Sequence, residues 1–137
     1  MILGMSEFRW MVDHEILLAQ RYQRFVSLAL MKSLNGEKVL DVVGNVIRQS
    51  DAYFEFSDTT GAILMSETDA VGCQVAMQRY MRQCDEAVDI RCAIGTYPQN
   101  NLAVPGFLAN LFEQLDRASV LPHRGAVVTM CDPSNNA

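Results

Sequence analysis

Ala52-Tyr53-Phe54-Glu55-Phe56 and Ala62-Ile63-Leu64-Met65, joined by Ser57-Asp58-Thr59-Thr60-Gly61, form the stretch on which the reading of this chain turns. Both flanks are strand-like runs, and the five residues between them have the polar chemistry of a hairpin turn. Ser66-Glu67-Thr68-Asp69 then leads into a helix, with Asp69 a good N-cap. That helix is predicted to reach about Cys84, with Ala70, Cys73, Met77, Tyr80, Met81 and Cys84 along one face. Arg79 lies about 200° round from Met77 at roughly 100° per residue, so it is expected to point outward.

On the N-terminal side, residues 7–24 read as a helix carrying Trp10, Met11, Ile16 and Leu17. Phe25 to Met31 is a buried-strand run, and Asn35-Gly36 a turn. Val39, Leu40, Val43, Val46 and Ile47 recur at helical spacing, which predicts an amphipathic helix over 37–49. On the C-terminal side, Val88 to Ile94 reads as a strand. A helix near 105–120 turns Leu108, Leu111, Phe112, Leu115 and Ala118 inward. Pro122 stops it, Ala126 to Met130 is a last strand, and residues 132–137 read as a frayed tail. The order is a helix, then β-α-β-β-α-β, then α-β. Its middle is the split βαβ pattern of ferredoxin-like α+β folds, a mostly antiparallel sheet with flanking helices expected on one face.

With 137 residues, half of them apolar, the chain reads as one domain with one core. A net charge of −5 disfavours a general grip on nucleic acid or on an anionic membrane, and no run is long enough to span a bilayer. Cys73, Cys84, Cys92 and Cys131 make no CxxC pair, and only His14 and His123 could assist them, so no metal site is expected. They read as free buried thiols, which suits a reducing cytoplasm. Any anionic ligand must be held by a few placed arginines. His14 and Glu15 read as a solvated helix face, Ser57, Thr59 and Thr60 as turn chemistry, and the eight methionines as core filler. Trp10, on a helix outside the core pattern, is a candidate docking residue.

In order and spacing these segments resemble the GGDEF domain family, the bacterial diguanylate cyclases, over about residues 12 to 131. Val26 to Met31 resembles the family's first strand, and Gly36-Glu37-Lys38-Val39-Leu40 its Gly-Asp-x-Val-Leu helix start. Ile90 to Thr96 resembles the strand ending in Ser-Ile-Gly, and Leu111 to Val127 the terminal helix and strand. The hairpin falls where the family carries its Gly-Gly-acidic-acidic-Phe turn. Thr59 and Thr60 stand in place of the acidic pair, and Lys32 in place of the family's first metal-binding aspartate. Only Ser33-Leu34-Asn35 fills the place of the segment that helps bind guanine. The resemblance therefore implies the fold without the catalysis. No cyclase activity and no Mg²⁺ are expected, because phosphoryl transfer needs hard oxygen ligands around that ion.

The resemblance also implies a ligand. Many members hold their product, cyclic di-GMP, at an inhibitory site opening with Arg-x-x-Asp shortly before the signature, and Arg48-Gln49-Ser50-Asp51 matches it. The family's second arginine corresponds to Arg79. Arg48, Asp51 and Arg79 are thus expected to bind cyclic di-GMP in a receptor that signals through a protein partner or a second copy. A ligand-independent interaction or dimerisation module is the alternative. An enzyme of altered chemistry would need a new cluster of acids, against which Lys32, Thr59 and Thr60 argue.

Overall fold

The computed structural model describes residues 2–44, 47, 51–83, 88–98 and 104–130. In chain order the elements are β1 (Ile2–Leu3), α1 (Met5–Tyr22), β2 (Val26–Ser33), α2 (Val39–Val43), β3 (Asp51–Ser57), β4 (Thr60–Ser66), α3 (Ala70–Arg82), β5 (Ile90–Tyr97), α4 (Val104–Val120) and β6 (Val127–Thr129). The strands form one sheet in the order β1-β3-β4-β2-β5-β6. The inner four pair antiparallel, while β1 joins β3 and β6 joins β5 in parallel. β2-α2-β3 and β4-α3-β5 are therefore the two halves of the split βαβ core, with β2 and β4 central.

Period-2 alternation sends the side chains of β2 to opposite faces. Ala29 and Met31 join Ile63, Met65, Ile90 and Cys92 under Val43 of α2 and Cys73, Ala76, Met77 and Tyr80 of α3. Leu28 and Leu30 join Phe54, Leu64 and Ala93 on the other face. There Phe8, Val12, Ile16 and Ala19 of α1 and Phe107, Leu111 and Leu115 of α4 cover them. Three layers result, with helices on both faces rather than the one expected, because α1 and α4 lie outside the β-α-β-β-α-β core and cover its second side. Seven of the eight residues of β2 are buried, which is why that run reads as continuously apolar rather than alternating.

Several expectations need adjusting. The first helix spans Met5–Tyr22, set two residues earlier than 7–24. The Glu7 carboxylate accepts from the Gly4 backbone N–H at its start, and Gln23 closes it in the left-handed region. The helix expected over 37–49 is Val39–Val43. Gly44-Asn45, two poor helix formers, follow its last residue. Residues 45, 46 and 48–50 lie outside the described residues, as does the tail from 131 onward. Ala70, expected on the inward face of α3, is exposed, and Ala76 takes its place. β1 was not anticipated at all. Cys73 and Cys92 are free and buried as expected, while Cys84 and Cys131 fall outside the described residues.

Candidate functional site

The hairpin closes with Asp58 and Thr59 at its tip, between paired Ser57 and Thr60. No residue of the tip adopts a positive φ. A register shift between Glu55 and Ser57 supplies the extra bend instead. The Ser57 and Thr60 hydroxyls lie 2.7 Å apart, and the Thr59 N–H donates to Ser57 Oγ at 3.3 Å. The tip is tied down from below: Ser33 N–H donates to the Thr59 carbonyl (2.8 Å) and Val39 N–H to the Asp58 carbonyl (3.1 Å). Lys32 stands level with Thr60 on one side and Arg91 on the other. The described groups at this end include the Ser57 and Thr60 hydroxyls, the Lys32 ammonium, the exposed Asp58 carboxylate, and Arg91 paired with Asp89. Among the described residues, no group of three or more His, Cys, Asp or Glu side chains could hold a metal ion.

Behind the tip, Tyr53 and Gly61 are matched in shape. A Cβ on Gly61 would lie 2.5 Å from Tyr53 Oη and 2.8 Å from the Phe54 carbonyl, so the ring occupies the space a side chain would need. Tyr53 is buried, and its hydroxyl has no hydrogen-bond partner among the described residues. Burial first, then the Glu55 charge, pushes its pKa up to about 12. An unsatisfied buried hydroxyl costs about 1–3 kcal/mol. Tyr53→Phe should therefore leave stability unchanged or raise it by about 1 kcal/mol in urea unfolding. The folded pKa lies above the ordinary 10.0, so the neutral tyrosine's contribution is whole below pH 10. It is lost as pH rises toward 12. Tyr53→Phe should remove that part of the alkaline loss.

On the α2/α3 face, at the opposite end of β3, Asp51 opens the strand half-buried. Its Oδ2 accepts a 2.9 Å hydrogen bond from Tyr80 Oη, a fully buried side chain of α3. Arg79, the next residue back, is exposed as the helical wheel requires, with its guanidinium carbon 5.5 Å from the Tyr80 ring centroid. Two of the three expected ligand residues are therefore linked through one tyrosine. Arg48 lies outside the described residues. Cys73 sits nearby, its thiol pushed up to about 11 by burial, with the Ser27 hydrogen bond opposing and the Asp51 charge adding. It stays an inert thiol at neutral pH. Asp69 caps α3 as expected, accepting from Gly72 N–H at 2.8 Å. Tyr80 was legible as a core residue of α3. Its tie to Asp51 had no local signal, because the two residues are far apart in sequence.

This arrangement, a split βαβ sheet with helices on both faces and a protruding β3–β4 hairpin, is the fold of the cyclase-like GGDEF domains. The chain superposes on the GGDEF domain of TpbB (also called YfiN) from Pseudomonas aeruginosa with a TM-score of 0.80 at 11% identity, covering 97% of this chain and 94% of that one. On the FimX GGDEF domain from Pseudomonas aeruginosa the TM-score is 0.75 at 13% identity, covering 92% and 93%. On the GGDEF domain of DgcB from Caulobacter crescentus, solved in complex with c-di-GMP, it is 0.77 at 9% identity, covering 93% and 90%. Identities this low establish the fold, and function must be argued from the site. No protein-family model matches the chain, and no curated protein does. Among the described residues, no helix is long and apolar enough to cross a membrane.

Proposed function

We propose that this chain is a catalytically inactive GGDEF-fold domain of the cytoplasm. In this reading it binds cyclic di-GMP through Arg48, Asp51 and Arg79 and signals by changing its association with a protein partner. The observation that carries it is the Tyr80–Asp51 hydrogen bond, which fixes the first residue of β3 to the helix presenting Arg79. Arginine forks grip phosphate bidentately and reach the Hoogsteen edge of guanine, and a carboxylate accepts from guanine N1–H and N2–H₂. Similarity in fold to a domain solved with c-di-GMP supports the ligand class.

Inactivity rests on the residues at the hairpin. Lys32, level with Thr60, stands where the family resemblance puts a metal-binding aspartate, and a positive charge there would oppose a divalent ion. The chemistry is then left without a metal to neutralise the charge that develops on the phosphoryl oxygens. Calorimetric titration of cyclic di-GMP into the purified protein should give saturable binding with a dissociation constant of about 10 μM or tighter, or −6.8 kcal/mol or better. Incubation with GTP and Mg²⁺ should yield no cyclic product. Absence of heat at high nucleotide concentration would remove the receptor reading, and product formation would remove the claim of inactivity.

A further inference from the structure

Tyr80 touches both of the described candidate ligand residues. Its hydroxyl donates to Asp51 Oδ2 at 2.9 Å, and the Arg79 guanidinium carbon lies 5.5 Å from the centroid of its ring. Of the buried residues of α3, Cys73, Ala76, Met77 and Tyr80, only the last carries a strong hydrogen-bond donor. Packing against the sheet does not ask for that hydroxyl; an apolar side chain would serve as well. What the hydroxyl does is fix a carboxylate. An oxygen in hydrogen-bond reach of a side chain with no exposed surface must face the protein. The half-buried Asp51 therefore turns Oδ2 inward and offers the outside at most Oδ1.

That orientation bears on which base the site accepts. A carboxylate reads guanine fully by setting its two oxygens side by side, one against N1–H and the other against the exocyclic amine. Hypoxanthine keeps the N1–H and lacks the amine, whereas adenine presents an acceptor at N1. We propose that Tyr80 sets the base specificity of this site. By engaging Oδ2 it limits Asp51 to one contact, so the site reads the N1–H of an oxopurine and ignores the exocyclic amine. The ligand class is then a cyclic dinucleotide of guanine or hypoxanthine alike, with adenine excluded. A site discriminates strongly only where the wrong ligand leaves a buried group without its partner. Adenine does so, by turning the N1 lone pair toward the carboxylate. An amine with no oxygen opposite it stays in water and contributes little either way. This inference rests on the nucleotide reading above and narrows it.

Calorimetric titration of the intact protein with cyclic di-GMP, cyclic di-IMP (its hypoxanthine counterpart) and cyclic di-AMP tests it. Wild type should bind the first two within about fivefold of each other, and cyclic di-AMP about thirtyfold more weakly or worse. Tyr80→Phe keeps the ring and releases Oδ2, so it should move the ratio of the two oxopurine affinities about fivefold or more in favour of cyclic di-GMP. A hydroxyl that served only the fold would, on removal, weaken every ligand alike and leave that ratio where it was. Circular dichroism checks that the variant folds, and the wild-type comparison decides the matter without it. A wild-type preference for cyclic di-GMP over cyclic di-IMP beyond the stated range would overturn the inference while the receptor reading stands. A ratio unmoved in a folded Tyr80→Phe, or cyclic di-AMP bound as tightly as cyclic di-GMP, would do the same. If neither oxopurine ligand binds, the receptor reading itself fails and this inference goes with it.

Discussion

Replacing Arg91 by methionine is expected to lower the free energy of unfolding by about 2–3 kcal/mol, the cost of removing charge-assisted hydrogen bonds from partly buried acceptors. Arg91 lies in β5 and is only 5% exposed. Nothing in the strand itself satisfies its guanidinium. Asp89, two residues back, takes Nε at 2.7 Å and Nη2 at 3.1 Å. Nη1 donates at 2.7 Å to the carbonyls of both Ala118 and Leu121. Ala118 lies in the last turn of α4 and Leu121 just past its end, where a helix leaves carbonyls short of internal partners. Among the described residues, the Ala118 carbonyl has otherwise only a long bond from the Leu121 N–H, at 3.4 Å. Asp89 Oδ1 also accepts from the Gly125 N–H at 2.9 Å. One buried cation thus fastens the end of α4 and the turn into β6 to the start of β5. Methionine fills a similar volume but donates nothing: both carbonyls lose the guanidinium, and Asp89 keeps only the Gly125 N–H among the donors described above.

Arg91's hydrogen bond holds the Asp89 carboxyl below the ordinary 3.8, assisted by Gly125 and by the Arg91 and Arg124 charges, against the opposing effect of burial. A depressed folded pKa means that the stabilisation is whole above the ordinary value and is lost as pH falls through the folded one. Wild type should therefore lose stability below about pH 4, and Arg91→Met should show a flatter acid limb. Urea unfolding followed by far-UV circular dichroism is the suitable probe, because the single tryptophan is already exposed. A loss under about 1 kcal/mol would mean that the α4 terminus is held by something else.

Arg91 also marks where the sequence stopped being readable. It stands inside a run correctly read as a strand, and nothing local says that a helix end some thirty residues later will fold back onto it. α3 and α4 were legible because each carries the 3.6 period, and β2 and the hairpin strands because they are short apolar runs of strand length bounded by turn residues. β1 was not, since two residues have no period; its place is set by parallel pairing to Tyr53 and Phe54, a purely tertiary effect. α2 was overextended because Val46 and Ile47 keep helical spacing beyond Gly44-Asn45, and spacing alone gives no weight to poor helix formers. α1 was ambiguous for a different reason. Apolar residues occur on both its sides, and only the packed structure shows that Ile16 faces the sheet and Trp10 and Leu17 do not. Of the candidate ligand residues, Asp51 was proposed from the Arg-x-x-Asp spacing and Arg79 from the family resemblance. The tyrosine that ties them together had to be seen in three dimensions.

Alanine at Arg48 or at Arg79 should each weaken cyclic di-GMP binding by about 2–4 kcal/mol, roughly 30- to 1000-fold, the cost of removing one charge-assisted contact to phosphate or guanine. Arg79 is exposed and touches its own protein through the face of Tyr80. Its removal should therefore shift unfolding by under about 0.5 kcal/mol, so lost binding cannot be a folding defect. Arg82 provides the internal control. It opens a second Arg-x-x-Asp, Arg82-Gln83-Cys84-Asp85, of the same composition. It also lies exposed in the last turn of the same helix as Arg79. A ligand drawn only by positive charge on α3 would be weakened alike by Arg79→Ala and Arg82→Ala, and the loss would fade as salt screens it. A ligand held at the Asp51 end of the sheet should lose affinity through Arg79 and Arg48 while leaving Arg82→Ala within about twofold of wild type. That contrast separates a built nucleotide site from a surface that is merely basic, because composition and helix are shared and only position differs.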